Sequence, residues 1–154
     1  MQISSIFGKI VGGFQGGIYS LFFHAVAETF LKYPRNEAIT IYMWLNTLIA
    51  ANEAVSDLGK LSIGNRTILD ALIPAQYKLT EVLEGDSDPI HAFGVTVKAA
   101  EYSAMKTVHM HSLRAGRLGK NEFKYPDPGA HSVGIWMRGA YEATKLKLFS
   151  HVKK

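Results

Sequence analysis

Cysteine is absent from the 154 residues, which removes disulfides, thiolate zinc sites, iron–sulfur clusters and cysteine nucleophiles together and suits a reducing compartment, the cytoplasm. Acids are scarce at the start: none precedes Glu28, and no Asp precedes Asp57. Long apolar runs are missing as well. The longest weakly polar stretch, residues 18–27, contains Ser20 and His24 and is too short to span a bilayer. Lys9, the glycine-rich stretch and Ala25-Val26-Ala27 loosely match a secretory leader. Four glycines and a histidine interrupt its apolar region, however, and an amphipathic pattern runs on to Tyr33, so a cytoplasmic protein is expected.

With 47% apolar and 19% charged residues, the chain can bury one sizeable core, and its length is that of one ordinary domain. The formal charge of +4 is mostly spread out; the densest basic run is Lys145, Lys147, Lys153 and Lys154 near the C-terminus. No basic stripe interleaved with aromatics points to nucleic acid. Small anionic ligands such as nucleotides remain compatible with this charge.

Apolar residues recur at helical spacing almost throughout, which predicts an all-α fold of about five long helices and an N-terminal stub. The first long helix is expected to begin after the glycines, with Ile18, Leu21, Phe22, Ala25, Val26 and Phe30 on one stripe, and to end near Tyr33-Pro34. Asn36 is the predicted cap of the second, whose inner face would carry Ile41, Leu45, Leu48, Ile49 and Val55. The third carries Ile68, Leu69, Leu72, Ile73 and Leu79, with Pro74 inside it. Asp88-Pro89 opens the fourth, which should run towards Arg114, and Asp127-Pro128-Gly129 opens the last. Short connections between long amphipathic helices imply an up-down antiparallel bundle or barrel.

Three connections share a character: Gly12-Gly13-Phe14-Gln15-Gly16-Gly17, Gly64-Asn65-Arg66-Thr67 and Asp127-Pro128-Gly129 each precede a long helix. Helix N-termini carry backbone N–H groups without intrahelical partners, and such ends attract phosphate. A single start of this kind serves capping more often than ligand binding. In an up-down bundle, however, the first, third and fifth long helices start at one end, where three such loops would converge on one ligand.

These motifs resemble those of the nucleotide-binding L subunit of dihydroxyacetone kinases, also found as the C-terminal domain of triokinases. Gly12-Gly13-x-x-Gly16 followed by Ile18-Tyr19 and Leu21-Phe22-Phe23 is similar to that family's glycine motif. Residues 64–75, reading G-N-R-T-I-L-D-A-L-I-P-A, are similar to its G-D-R-T-M-L-D-A-L-x-P-A, Ala115-Gly116-Arg117 with Leu118-Gly119 to its arginine loop, and Asp127-Pro128-Gly129-Ala130 to its D-P-G-A. The likeness runs from about residue 5 to 150.

The resemblance implies a helical barrel that binds ADP or ATP with magnesium and works with a dihydroxyacetone-binding domain or subunit. Carried over residue by residue, Gly12, Gly13 and Gly16 form the phosphate turn, with Phe14 and Gln15 at its phosphate-contacting pair. Gly64 and Ile73 lie on the adenine side, Arg117 reaches the nucleotide, and Asp127, Pro128 and Gly129 close the pocket. Departures from the family fall in the site itself. Phe14-Gln15 stands where the family has two serines, Asn65 replaces an aspartate, and the loop between Arg117 and Leu118 is shorter.

The family's metal loop, D-x-x-x-x-D-x-D upstream of the glycines, does not occur here, so the chain reads as one domain truncated at its N-terminus. No metal ligand is therefore assigned within it. A truncated barrel would leave an apolar groove and favour self-association into a homo-oligomer. The alternative to a kinase part is an inactive pseudoenzyme or a helical protein-interaction module on the same scaffold. Asp86-x-Asp88 is read as capping, His109 and His111 as unpaired on their helix, His24, Trp44 and Trp136 as core residues, and Asp70 as a brace for the glycine loop or Arg66.

Overall fold

A computed structural model describes residues 2–110 and 123–151, and among these every regular element is helical. The chain divides into two compact units, Met1–Ser62 and Ile63–Lys154.

In the first unit, a short helix α1 (Gln2–Ile6) passes through one π-helical turn, Phe7–Val11, into α2 (Gly13–Leu31), and α3 (Ile41–Gly59) packs on α2. α1 is pinned to α2 by the Ser4 hydroxyl, which donates to the Ser20 carbonyl at 2.9 Å. Phe7 stacks on Tyr19 and Phe23 at ring separations of 4.9 and 5.4 Å. Ile18, Tyr19 and Phe22 of α2 and Ala51 and Val55 of α3 are the buried apolar residues. Ile3, Ile6, Ile10 and Val11 are exposed.

Five expectations need correcting in this unit. α2 begins at Gly13, so glycines 13, 16 and 17 lie inside its first turns rather than ahead of it. α3 is capped by Thr40, whose hydroxyl accepts from the Met43 N–H at 3.3 Å, and not by Asn36. Its buried face is Thr47, Ala51, Asn52 and Val55, while Ile41, Leu45, Leu48 and Ile49 are only half-buried. Trp44 is half-exposed with its edge against Phe30, the ring centroids 4.7 Å apart. His24 is likewise on the surface beside Glu28, at 3.4 Å.

In the second unit, α4 (Leu69–Glu84), α5 (Pro89–Lys106) and α6 (Pro128–His151) pack on one another. α4 continues through Pro74, whose missing N–H leaves one rung of the helix unmade. Residues 85–88 join α4 to α5, and so short a link makes the two antiparallel neighbours. Asp88 caps α5 as expected, accepting from the His91 N–H at 2.9 Å. α5 stops at Lys106 and tightens into a 3-10 turn, Thr107–His109, short of the predicted reach towards Arg114.

Small residues bring α5 and α6 close. A Cβ at Gly94 would lie 2.8 Å from the Tyr141 hydroxyl oxygen, and one at Gly134 would lie 3.2 Å from Glu101 Cγ. The core comprises Ile68, Leu69, Leu72, Ala75 and Leu79 around α4, Val97, Ala100 and Ala104 of α5, and Val133 and Met137 of α6. Each large member contributes about 1.5–3 kcal/mol of burial. Trp136 is half-buried at its edge.

Candidate functional site

The start of α2 is built on glycine for two separate reasons. Gly12 and Gly13 have φ of +62° and +59°, left-handed backbone that glycine adopts without steric cost. Gly16 serves packing: a Cβ there would lie 2.6 Å from the Phe7 carbonyl oxygen, so the π-helical turn could not close against α2. No side chain caps α2 and its first turn holds no acid. No side chain of the cap or acid of the first turn offsets the positive end of the helix dipole there. The Phe14 ring is exposed at this start, and Gln15 Oε1 is enclosed with no hydrogen-bond partner among the described residues.

The turn before α4 is made differently. Asp70, 1% exposed, reaches back to accept the Gly64 N–H at 2.5 Å and the Thr67 N–H at 2.8 Å. Gly64 has φ of +94° and Arg66 of +55°. The arginine holds this sparsely populated conformation, which costs on the order of 1 kcal/mol, while its buried guanidinium is anchored. It donates to the Thr107 carbonyl and, at 3.1 Å, to the Tyr125 carbonyl, and lies 3.7 Å over the Phe123 ring. The sequence reading of Asp70 as a brace is correct, and the brace is on the glycine turn.

α6 starts from a third arrangement. The Asp127 carboxylate, 8% exposed, accepts the Ala130 N–H at 2.9 Å. The Asp127 N–H in turn donates to the Thr107 hydroxyl at 2.7 Å, and that hydroxyl donates to the Ala104 carbonyl at 2.6 Å. Thr107, wholly buried, thus touches both the 64–67 turn, through its carbonyl, and the α6 start, through its hydroxyl. Sequence reasoning missed Thr107. A lone threonine at a helix end carries no motif, and its partners lie 41 and 20 residues away.

The expectation that all three helix starts offer free N–H groups to phosphate is therefore corrected for two of them. At α4 and α6 buried carboxylates occupy N–H donors and place negative charge where a phosphate would sit. At the α2 start, by contrast, no side chain caps the helix and no acid stands in its first turn. Gly12, Gly13, Phe14, Gln15 and Gly16 belong to the first unit, and Gly64, Ile73, Asp127, Pro128 and Gly129 to the second. Within the second unit the Arg66–Thr107 link joins Gly64 to Asp127. Ile73 is half-buried on α4, Pro128 is exposed, and Gly129 is buried.

Arg117 and the rest of its loop lie outside the described residues, as does His111. Among the described residues no three His, Asp or Glu side chains gather as a metal site. No set of the described side chains would by itself enclose a magnesium ion, which commonly takes one or two carboxylates beside nucleotide phosphates. Also among the described residues, no helix is long and apolar enough to cross a membrane. The clearest ion pair of the second unit lies apart from these turns: Arg138 grips Glu101 through two hydrogen bonds, of 2.8 and 2.6 Å. The guanidinium holds the Glu101 carboxyl below its usual range, and the pair raises Arg138 further above its own.

Comparison with known proteins places these features in a family. The chain is 40% identical over 150 residues to a tomato (Solanum lycopersicum) protein named "Putative 3,4-dihydroxy-2-butanone kinase", covering 95% of this chain and 25% of that one. It is 29% identical over 143 residues to the Homo sapiens triokinase/FMN cyclase, covering 92% of this chain and 24% of the relative. It is 30% identical over 145 residues to the ADP-binding subunit DhaL of a PEP-dependent dihydroxyacetone kinase of Listeria innocua, covering 91% and 63%. The chain spans about a quarter of the length of the first two relatives. Residues 1–142 match the DAK2 domain, across both compact units, and the chain belongs to the DAK2 domain family.

Proposed function

We propose that this chain is the nucleotide-binding part of a kinase that phosphorylates dihydroxyacetone or a related triose, taking ADP or ATP as its ligand. The names of its relatives support the reaction class, and the Listeria relative, an ADP-binding subunit by name, supports the ligand. One observation carries the reading at the level of residues. Of the three glycine- or aspartate-marked helix starts, that of α2 alone is uncapped by a side chain and free of acids, which is the environment a polyphosphate requires.

Phosphate contact is accordingly assigned to Gly12, Gly13, Phe14, Gln15 and Gly16. Gly64 and Ile73 are assigned to the purine side, where an uncharged group is compatible with the buried Asp70 carboxylate. Asp127, Pro128 and Gly129 are assigned to pocket closure and Arg117 to the nucleotide.

Magnesium and the dihydroxyacetone site would come from segments other than the described residues, and no transfer step is derived from these. The cysteine-free composition suits a cytoplasmic protein. A second reading, a non-catalytic scaffold, draws on Phe14, whose exposed ring stands at the phosphate-contacting pair and offers no hydrogen bond.

Calorimetric titration with ADP, with and without excess magnesium, tests the proposal. Binding is expected, weakened about tenfold by Arg117→Ala, the loss of one charge-assisted contact. Amide resonances of residues 13–16 should shift on binding, while those of Thr67 and Ala130, held by carboxylates, should move little. No heat of binding at any magnesium concentration would end the nucleotide reading and leave the scaffold.

A further inference from the structure

The 64–67 turn and the α6 start are each closed by their own carboxylate, so neither needs the other to form locally. They are nonetheless joined by a buried chain of hydrogen bonds that no capping requirement explains. Arg66 spans from its turn to the carbonyls of Thr107 and Tyr125, and Phe123 covers its guanidinium. The Thr107 carbonyl also accepts the Met110 N–H at 3.2 Å, and the Thr107 hydroxyl uses both its donor and its acceptor, towards Ala104 and Asp127. Three segments distant in sequence, residues 64–67, the end of α5 and residues 123–127, therefore meet on one arginine and one threonine.

We infer that Arg66 and Thr107 are positioning residues that hold the Gly64–Thr67 turn and the Asp127–Gly129 helix start in a single register. Their effect on nucleotide binding rests on the function proposed above. Neither is placed to contact a ligand itself: Thr107 is wholly buried, and Arg66 is 7% exposed with both terminal nitrogens turned to protein carbonyls. A buried guanidinium donating to two carbonyls is selected for shape as much as charge, because its planar fork fixes the distance between the groups it joins. Lysine would keep the charge and lose that fork.

The threonine provides the sharper test, because its two candidate roles rank the same two substitutions oppositely. If Thr107 only fills space, valine, equal in shape, should serve well, and serine, lacking the methyl, should serve badly. If the hydroxyl positions the α6 start, serine should serve and valine should fail. Amide hydrogen exchange is measured on the full chain for Thr107→Val, Thr107→Ser and Arg66→Lys, with the amides of residues 75–83 in α4 as the internal reference.

Thr107→Val and Arg66→Lys are expected to speed exchange at Asp127 and Ala130 at least tenfold relative to that reference, with Thr107→Ser close to wild type. ADP titration of the same proteins should show affinity falling in the same order. Wild-type exchange in Thr107→Val, or serine worse than valine, overturns the inference. It is equally overturned if the wild type binds ADP and Thr107→Val, with its exchange raised, binds ADP as tightly. Failure of the wild type to bind ADP sinks the proposed function instead, and the shared register is then decided by the exchange rates alone.

Discussion

The glycine turn of α2 and the turns before α4 and α6 share one sequence character and are physically unlike. At α2 the backbone turns on two left-handed glycines, no side chain caps the helix, and no acid stands in its first turn. At α4 and α6 buried Asp70 and Asp127 take up N–H donors, and a guanidinium and a threonine link the two turns. The first arrangement places no carboxylate on its turn, and the second takes up N–H donors internally. A small residue or an aspartate at a helix start therefore does not by itself indicate an anion site; what closes the turn decides.

The comparison breaks most readily at Asp70. Replacing it with alanine strands one buried and one part-buried N–H group, and we expect a loss of about 3 kcal/mol in urea denaturation. A loss below about 1 kcal/mol would mean that the carboxylate does not hold the turn. At α2 the corresponding pair is Gly16→Ala and Gly17→Ala. The first drives a Cβ to 2.6 Å from a backbone carbonyl, whereas the second meets nothing within 4 Å. Gly16→Ala should cost about 2 kcal/mol by overpacking, and Gly17→Ala should be neutral or slightly stabilising because alanine is the better helix former. Equal effects of the two would remove the packing account of Gly16.

Asp127→Ala should cost about 1 kcal/mol as the loss of an N-cap, read as a shift of the denaturation midpoint. A larger loss would show that Asp127 carries more than its own helix start. The smallest effect is expected from the surface carboxylate Glu101, a contrast to the two buried ones. Its folded pKa is depressed by Arg138, so the stabilisation is complete above the ordinary carboxylate value of 4.5 and is lost as pH falls through the lower folded value. Arg138 stays charged throughout and adds no slope of its own. Both side chains are about one-third exposed, so screening keeps the difference between wild type and Glu101→Gln below about 1 kcal/mol at neutral pH, shrinking towards pH 3. A difference that grew on acidification would contradict this sign.

Much of the fold was legible in the chain because its signals are local. Asp88-Pro89 and Asp127-Pro128-Gly129 mark helix starts through chemistry acting within three residues, and both starts lie where those residues place them. The beginning of α2 and the cap of α3 depart from the local signals for a related reason. Glycine and asparagine signal an interruption, yet whether the helix runs through them depends on neighbours such as the Phe7 carbonyl, which the spacing does not reveal. Residue type and stripe place Trp44 and His24 in the core, whereas both side chains are about half exposed.

By itself, the sequence determined the all-α class, the succession of long helices and, through its motifs, the DAK2 family, since periodicity, capping and motif order are properties of the linear chain. Only the tertiary structure decided which helix starts remain open and which are closed. The groups that link the closed ones, Arg66 to Thr107 across 41 residues and Thr107 to Asp127 across 20, meet only when the helices have packed. Hydrogen bonds over such separations follow from the fold, and no spacing in the chain announces them.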